Sequence, residues 1–372
     1  MTIVGTRPEL IKLSRVIPAL DEASAHILVH TGQNFDYELN EVFFQDLGIR
    51  RPDLLLEAAR GSAAETIANV IVRADEAFVR HRPDALLLYG DTNSCLAVIP
   101  AKRRHIPVFH LEAGNRSFDD RVPEEINRRL VDHLSDVNMP LTEHARRYLV
   151  AEGIRPETIF KVGSPMKEVL EHNRAGIDRS TALERLGLTS RRYMVASLHR
   201  EENVDDEAAF VDLIATLNAV AAAYRMPVIV STHPRTRQWL EQRAPSALNP
   251  LVRFEKPFAF TDYVKLQTHA YCVLSDSGTI VEESALLTLP AVMIREAHER
   301  PEGVDAGTII MSGLKASSVL HAMQVVIAQH ERTRRYAALP PDYDVTDVST
   351  KVVRIILSYI GYVNRTVWFR RE

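Results

Sequence analysis

The feature that most constrains the fold is a repeated order of apolar strand, polar loop and helix. Apolar runs at 85–89 and 106–109 each end in a polar loop, and a helical pattern follows each loop. The same order restarts at 193–197 and continues through 228–231 and 270–275. Strands that alternate with helices predict βαβ units and parallel sheets. The pattern therefore predicts an α/β protein with two Rossmann-like, doubly wound parallel-sheet domains in tandem.

The length of the chain agrees with two domains. A chain of 372 residues is too long for one typical core and suits two domains of roughly 150 to 200 residues each. The point where the strand pattern restarts predicts an N-terminal domain at 1–165 and a C-terminal domain at 166–351. We expect a small ligand to bind in the cleft between them.

Composition narrows the possible partners. The chain is 25% charged with a formal net charge of -4, which argues against a nucleic-acid or membrane-surface binder. It has no run of eighteen apolar residues, so no transmembrane helix is expected. Its first residues lack the basic and apolar regions of a signal peptide. The sequence therefore predicts a cytoplasmic protein.

Acidic residues follow two of the predicted strands. Asp91 follows the strand at 85–89, and Glu112 and Glu124 follow the strand at 106–109. Open α/β sheets place their chemistry at these strand ends. Carboxylates crowded near a diphosphate would have raised pKa values, as general acid/base catalysis requires. Asp91 and Glu124 also suit helix caps or first helical turns, but all three beside His199 favour a catalytic site.

Several residues suit the binding of an anion. The first strand is followed by Arg7 and Lys12 rather than by G-x-G-x-x-G, so no dinucleotide cofactor is predicted. Both cations are predicted to point over the cleft, although a surface Arg and a solvated helix Lys are the plain alternatives. Because only two candidate ligands, such as His110 and Glu112, share a strand-like spacing at any one place, no metal site is predicted.

The C-terminal domain offers a second anion site. The segment 276–279 precedes a helix and contains Ser277, Gly278 and Thr279, so free backbone N–H groups are predicted to face a diphosphate. Glu283 lies further along that helix and could accept hydrogen bonds from a ribose. A capped helix explains the same residues. The site is favoured because three more residues recur at neighbouring strand ends, namely His199, His233 and Arg300.

Seven spaced motifs together resemble those of a known family. In chain order they lie at 5–9, 90–92, 110–114, 123–128, 199–202, 276–278 and 299–302. The chain resembles the non-hydrolysing UDP-N-acetylglucosamine 2-epimerases. The resemblance implies the two-domain GT-B arrangement, with a C-terminal helix at about 352–372 joined to the first domain. It also implies inversion at C2 of a UDP-2-acetamido sugar without a cofactor, in a homodimer that makes precursors of surface polysaccharides.

The resemblance assigns roles to individual residues. Four positions match the family's catalytic groups: Asp91, Glu112, Glu124 and His199. Seven match positions that hold UDP or the sugar: Arg7, Lys12, Arg128, Ser277, Gly278, Glu283 and Arg300.

Two departures from the family pattern carry further expectations. Glu201 stands where many bacterial members have an Arg that helps to bind a regulatory UDP-N-acetylglucosamine, so weak or absent activation by substrate is expected. The segments 112–123 and 362–368 are similar to the branch that forms UDP-N-acetyl-L-fucosamine from a 6-deoxy sugar. Three other functions stay open: a GT-B glycosyltransferase, a hydrolysing 2-epimerase and a non-catalytic UDP-sugar sensor.

Overall fold

The chain divides into two compact units. The computed structural model describes residues 1–33, 44–198, 207–232, 248–333 and 337–370. The N-terminal unit comprises Met1–His172 and Pro341–Glu372, and the C-terminal unit comprises Asn173–Pro340. His199, Glu201 and His233 lie outside the described residues.

The N-terminal unit is a parallel sheet with helices between its strands. Its strands run in the order β3-β2-β1-β4-β5-β6, and every pair is parallel. In chain order the elements are β1 (Thr2–Val4), α1 (Arg7–Leu13), α2 (Val16–Ala23), β2 (Leu28–His30), β3 (Leu54–Leu55), α3 (Ala63–His81), β4 (Leu86–Tyr89), a 3-10 helix (Asn93–Ala97), α4 (Val98–Arg103), β5 (Val108–Leu111), α5 (Pro123–Leu134), β6 (Val137–Met139), α6 (Glu143–Ala151), a 3-10 helix (Pro156–Thr158) and α7 (Met166–His172).

The C-terminal unit repeats this architecture. Read from the other edge, its sheet has the order β9-β8-β7-β10-β11-β12, again with all pairs parallel. Its elements are α8 (Arg174–Arg179), α9 (Ala182–Leu186), β7 (Met194–Leu198), α10 (Glu207–Tyr224), β8 (Val228–Thr232), β9 (Val252–Glu255), α11 (Phe260–His269), β10 (Val273–Ser275), α12 (Ile280–Leu287), β11 (Ala291–Met293), α13 (Pro301–Asp305), β12 (Ile310–Met311) and α14 (Ala316–Arg332); α15 (Val348–Thr366) follows and belongs to the N-terminal unit.

Apolar periodicity explains how the helices cover the sheets. In α3 the buried residues include Val70, Ala74 and Phe78, which recur every four residues and face the core. They share one apolar cluster with the strand residues Leu88 and Val108. Every residue of β4 and of β5 is buried, as expected for central strands of a parallel sheet that is covered on both faces.

Both sheets have the strand order 3-2-1-4-5-6, so the predicted fold class is confirmed. In this order the second and third strands are added on one side of the first strand, and the fourth to sixth strands are added on its other side. The place between the first and fourth strands, where the order reverses, is the switch point, and ligands bind there beyond the carboxyl ends of the strands. The switch point lies between β1 and β4 in the N-terminal unit and between β7 and β10 in the C-terminal unit.

Several elements differ in detail from the pattern of the sequence. The segment 159–165 is predicted to form the last strand of the first domain and the crossover, but it has only an isolated bridge between Ile159 and Asn138, together with backbone hydrogen bonds from Phe160 and Val162. The helical pattern at 94–104 begins as a 3-10 helix and continues directly into α4. The helical pattern at 10–21 is divided into α1 and α2.

The border between the units also differs from the expected residues 165 and 352. Helix α7 belongs to the N-terminal unit, where the Glu168 carboxylate accepts a hydrogen bond from the backbone N–H of Ser349 at 3.1 Å. In the described part of the chain, no helix is long and apolar enough to cross a membrane.

Candidate active site

Both predicted cations of the N-terminal unit lie on α1, the helix that follows β1. Arg7 is the first residue of α1 and is partly buried. Lys12 lies one turn further along and is only 2% exposed. A solvated helix Lys was one alternative for Lys12, and its burial shows that this alternative is wrong.

Glu9 is a buried carboxylate in the same turn that was not among the predicted site residues. Its Oε2 accepts hydrogen bonds from the N–H groups of Gly5 at 2.5 Å and Thr6 at 2.9 Å. Its Oε1 accepts one from the hydroxyl of Thr92 at 2.5 Å. Burial raises the pKa of Glu9 to about 7, although these hydrogen bonds act in the opposite direction. Glu9 thus joins the turn after β1 to the loop after β4.

Asp91 lies in the loop after β4 and is paired with Arg128. Gly90 precedes it with φ +71°, in the left-handed region that glycine enters without strain. Arg128 donates from Nε to Oδ2 of Asp91 at 2.8 Å, and the Asn127 side chain donates to the Asp91 carbonyl at 2.9 Å. The structure therefore brings together two predicted site residues that lie 37 positions apart.

Arg128 contacts a second carboxylate that the sequence analysis did not select. Its Nη1 donates to Oε2 of Glu125 at 2.8 Å, and the guanidinium is almost fully buried. The same Glu125 oxygen accepts a hydrogen bond from the N–H of Ser117 at 2.9 Å. Burial alone would raise the pKa of Glu125, but the hydrogen bonds from Ser117 and Arg128 together lower it. Glu125 therefore orients Arg128 and fixes the loop before α5.

Glu124 is partly buried in the first turn of α5. It precedes Arg128 by four residues, so both side chains lie on one face of the helix. Glu124 lies in the first helical turn, as the structural alternative for this residue predicted. This position also directs Glu124 towards the face that carries Arg128.

Glu112 comes directly after β5 and has an uncommon backbone conformation. Its φ is +68°, in the left-handed region that residues other than glycine uncommonly adopt. Its carboxylate accepts a hydrogen bond from the hydroxyl of Tyr89, the last residue of β4. The loops after β4 and β5 are also joined by the N–H of Gly90, which donates to the Leu111 carbonyl at 3.0 Å.

A buried charged array supports these two loops from the core side. His110 contacts the Gly90 carbonyl through Nε2 at 2.7 Å and Asp132 through Nδ1 at 2.8 Å. Arg116 donates to the other oxygen of Asp132 at 2.7 Å. Both ring nitrogens of His110 are thus held by acceptors. Burial alone would raise the pKa of Asp132, but hydrogen bonds and charges from His110 and Arg116 lower it.

The predicted anion site of the C-terminal unit lies at the switch point after β10. Ser277, Gly278 and Thr279 lead into α12, and the hydroxyls of Ser277 and Thr279 are 3.0 Å apart. A Cβ on Gly278 would lie 2.2 Å from Oε1 of Glu299 and 3.5 Å from Nε of Arg300, so any larger residue requires the Glu299 carboxylate to move. The N–H of Ser277 donates to the Ser275 hydroxyl at 3.1 Å and that of Thr279 to the Ser277 hydroxyl at 3.4 Å, so these two N–H groups are not free as predicted.

Glu283 and Arg300 are both buried near this helix. Glu283 is 7% exposed, and its Oε2 accepts a hydrogen bond from the Gln267 side chain at 2.6 Å. Arg300 is 4% exposed and lies 3.7 Å from the Glu282 carboxylate. Among the described residues, no group of three or more His, Cys, Asp or Glu side chains could hold a metal ion.

Comparison with known proteins identifies the family. A family model described as UDP-N-acetylglucosamine 2-epimerase matches residues 19–357. The chain belongs to this family. The predicted family resemblance and the predicted isomerase class are thereby confirmed.

Relatives within the family match most or all of the chain. A structure of UDP-N-acetylglucosamine 2-epimerase from Rickettsia bellii is 53% identical, with a TM-score of 0.92, and the match covers 100% of this chain and 99% of that chain. The enzyme of the same name from Methanocaldococcus jannaschii is 32% identical over 87% of this chain and 91% of its own length. A UDP-2,3-diacetamido-2,3-dideoxy-D-glucuronate 2-epimerase from Pseudomonas aeruginosa is 33% identical over 88% of this chain and 92% of its own.

Proposed function

We propose that the protein inverts C2 of UDP-N-acetylglucosamine to give UDP-N-acetylmannosamine, without releasing free sugar. The observation that carries this proposal is the 2.8 Å contact between Arg128 and Asp91, in a unit whose next loop places Glu112 on a strained backbone. A family whose named activity is 2-epimerisation of this sugar nucleotide provides the chemical context.

The proposed reaction is an elimination followed by an addition. A carboxylate base removes the C2 proton while the bond between C1 and the UDP oxygen breaks, which gives 2-acetamidoglycal and UDP. A proton then returns to the opposite face of C2, and UDP adds again at C1. Electrons balance without an oxidant or reductant, because the electron pair of the C2–H bond forms the C1–C2 double bond as UDP leaves.

The C2 proton is weakly acidic, so departure of the leaving group must assist its removal. Cations and backbone dipoles at the diphosphate stabilise the negative charge that develops on UDP. Arg7 and the buried Lys12 are the proposed cations of the N-terminal unit. The proposed UDP contacts of the C-terminal unit are Ser277, Gly278, Thr279, Glu283 and Arg300, and His199 and His233 are proposed from sequence alone.

The three carboxylates divide the proton transfers between them. Asp91 and Glu112 are proposed to act nearest to C2, because they follow neighbouring strands that are joined at Gly90 and Leu111. Glu124 is proposed to assist from the first turn of α5. Which carboxylate removes the proton and which returns it is decided by the variants described in the Discussion.

A second candidate substrate uses the same chemistry. The segments 112–123 and 362–368 are similar to the branch that acts on a UDP-2-acetamido-2,6-dideoxy-hexose, which would give UDP-N-acetyl-L-fucosamine. The Pseudomonas aeruginosa relative is named for a sugar with different substituents at C3 and C6, so the family includes 2-epimerases for more than one sugar. The substrate is therefore best tested with both sugars in parallel.

NMR in D2O separates the candidate functions. With UDP-N-acetylglucosamine we expect deuterium at C2 and the appearance of UDP-N-acetylmannosamine. The second substrate is the UDP-2-acetamido-2,6-dideoxy-hexose with the talose configuration. Faster turnover of this sugar than of UDP-N-acetylglucosamine would assign the enzyme to the branch that forms UDP-N-acetyl-L-fucosamine. Free N-acetylmannosamine would indicate a hydrolysing enzyme, and no deuterium with either sugar would support a glycosyltransferase or a sensor.

The proposed biological setting follows from the family. We propose a homodimer in the cytoplasm that supplies precursors of surface polysaccharides. Sedimentation equilibrium of the purified chain tests the dimer, since a single species of the 41.9 kDa monomer would contradict it. Cell fractionation tests the location.

A further inference from the structure

Tyr89 touches a proposed catalytic carboxylate, and no role has been assigned to it. It is the last residue of β4 and is 3% exposed. Its hydroxyl donates a hydrogen bond to Oε2 of Glu112, which follows the neighbouring strand. The contact joins two residues that lie 23 positions apart, so the spacing of motifs along the chain does not reveal it.

The backbone around the pair fixes its geometry. Tyr89 is paired with Leu111 in the parallel register of β4 and β5, one residue before Glu112. Gly90 donates its N–H to the Leu111 carbonyl at 3.0 Å, and Glu112 donates its own N–H to the Met139 carbonyl at 3.1 Å. Between these anchors Glu112 adopts φ +68°. A non-glycine residue persists in this region only when its surroundings fix it there.

We propose that Tyr89 is a positioning residue for the epimerisation. The strained backbone directs the Glu112 side chain, and the phenol holds one carboxylate oxygen so that the group meets C2 in a single orientation. A hydrogen bond donated to the charged form of a carboxylate also favours that form, which is the form a base requires. This inference rests on the proposed function and on Glu112 handling a proton in it.

The variant Tyr89→Phe removes the hydroxyl and keeps the ring. Loss of a hydrogen bond to a charged group is expected to lower kcat by about tenfold to hundredfold, with little change in KM. The acidic limb of the pH profile of kcat/KM is expected to move to higher pH, because the carboxylate loses a donor. An unchanged kcat and an unchanged acidic limb would overturn the inference.

Tyr193→Phe is the matched control. Tyr193 is fully buried in the C-terminal unit, and its hydroxyl donates to the Leu266 carbonyl at 2.7 Å. This control loses a buried tyrosine hydrogen bond but no contact with a proposed catalytic group. It is expected to lower stability while leaving the pH profile of the wild-type enzyme unchanged. Equal shifts in both variants would show that Tyr89 has only a structural role.

A double-mutant cycle tests the hydrogen bond independently of activity. Urea unfolding of Tyr89→Phe, Glu112→Gln and the double variant is expected to give non-additive midpoints, because either single change already breaks the charged hydrogen bond. Additive midpoints would contradict the contact. If wild-type protein shows no exchange at C2 but the cycle is non-additive, the proposed function fails and the contact stands. If wild-type protein is active but Tyr89→Phe matches it, the inference alone fails.

Discussion

Arg128 donates from Nε to Oδ2 of Asp91 across 2.8 Å, and this pair joins the loop after β4 to the first turns of α5. The same guanidinium donates from Nη1 to Glu125, so a single buried cation orients two carboxylates. Asp91 is thereby held by a group on the helix that also carries Glu124. Positions of proton-handling groups matter to within fractions of an ångström in enzyme sites.

Arg128→Lys is expected to lower kcat/KM by about tenfold to hundredfold, because an ammonium cannot reproduce the two directed contacts of the guanidinium fork. Arg128→Ala is expected to lower the free energy of unfolding by roughly 3 kcal/mol, since it removes the buried cation from Glu125 and leaves only the 3.3 Å contact of the more exposed Arg129. Kinetics and urea unfolding measure the two effects. The control is Arg121→Lys, whose side chain is 84% exposed and pairs with Asp119. Equal losses in the control would contradict the role of Arg128.

The raised pKa of Glu9 predicts that its contribution to stability decreases as the pH rises. Its folded pKa of about 7 lies above the ordinary value of 4.5, so between these values the folded state binds a proton that the unfolded state has released. The contribution of Glu9 to the free energy of unfolding therefore falls as pH rises from about 5 to 8, by roughly 3 kcal/mol at most. Above pH 7 the charged, buried carboxylate is the destabilised form.

The variant Glu9→Gln should lose this dependence. The difference in urea unfolding free energy between wild type and variant is expected to shift in favour of the variant as pH rises from 5 to 8. Glu65→Gln is the matched control, because Glu65 makes the same type of contact, with the Ser62 N–H at 2.9 Å, at the exposed start of α3. If the difference in unfolding free energy between wild type and Glu9→Gln stays constant from pH 5 to 8, the account is contradicted.

Gly278→Ala tests the proposed UDP site of the C-terminal unit. The added Cβ would lie 2.2 Å from Oε1 of Glu299 and 3.5 Å from Nε of Arg300, so it would displace the Glu299 carboxylate beside Arg300. We expect the Kd for UDP, measured by calorimetry, to rise at least about tenfold, which corresponds to roughly 1.4 kcal/mol. Gly61→Ala is the control, because its new Cβ has only an ordinary contact, 3.4 Å from Glu65. Unchanged affinity in Gly278→Ala would place UDP elsewhere.

Asp132→Asn tests the charged array beneath the two loops. The amide cannot accept from His110 and Arg116 as the carboxylate does, so these two buried side chains lose their common charged partner. The free energy of unfolding at pH 7 is expected to fall by roughly 3 to 5 kcal/mol. Because the pKa of Asp132 is lowered, its contribution is present above pH 4 and is lost only on strong acidification. Wild-type stability in the variant at pH 7 would show that the array contributes little.

The sequence was sufficient for the fold class and for the residues that follow each strand. Asp91, Glu112 and Ser277 lie at strand ends because alternating strands and helices dictate that location. Contacts between residues that lie far apart in the sequence could not be predicted in this way. Glu9 meets Thr92 across 83 positions, and no local pattern encodes that distance. The signal for Glu9 was a Thr6-x-x-Glu9 capping spacing directly after a strand.

Short edge strands are hard to predict from sequence for a related reason. Strands β3 and β12 have two residues each, too few for a period-two pattern to emerge. The burial of Lys12 also went against its residue type, since lysine is rarely buried. Tertiary packing therefore decides these features, whereas local pattern decides the central strands.

Deuterium exchange at C2 of UDP-N-acetylglucosamine in D2O, followed by proton NMR, tests the central claim most directly. We predict exchange by wild-type enzyme and a loss of at least about a hundredfold in Asp91→Asn and in Glu112→Gln, with the Kd for UDP unchanged in both. This result would assign the proton transfers to the loops after β4 and β5. Exchange at the wild-type rate in both variants, or none in the wild type with either candidate sugar, would contradict the account.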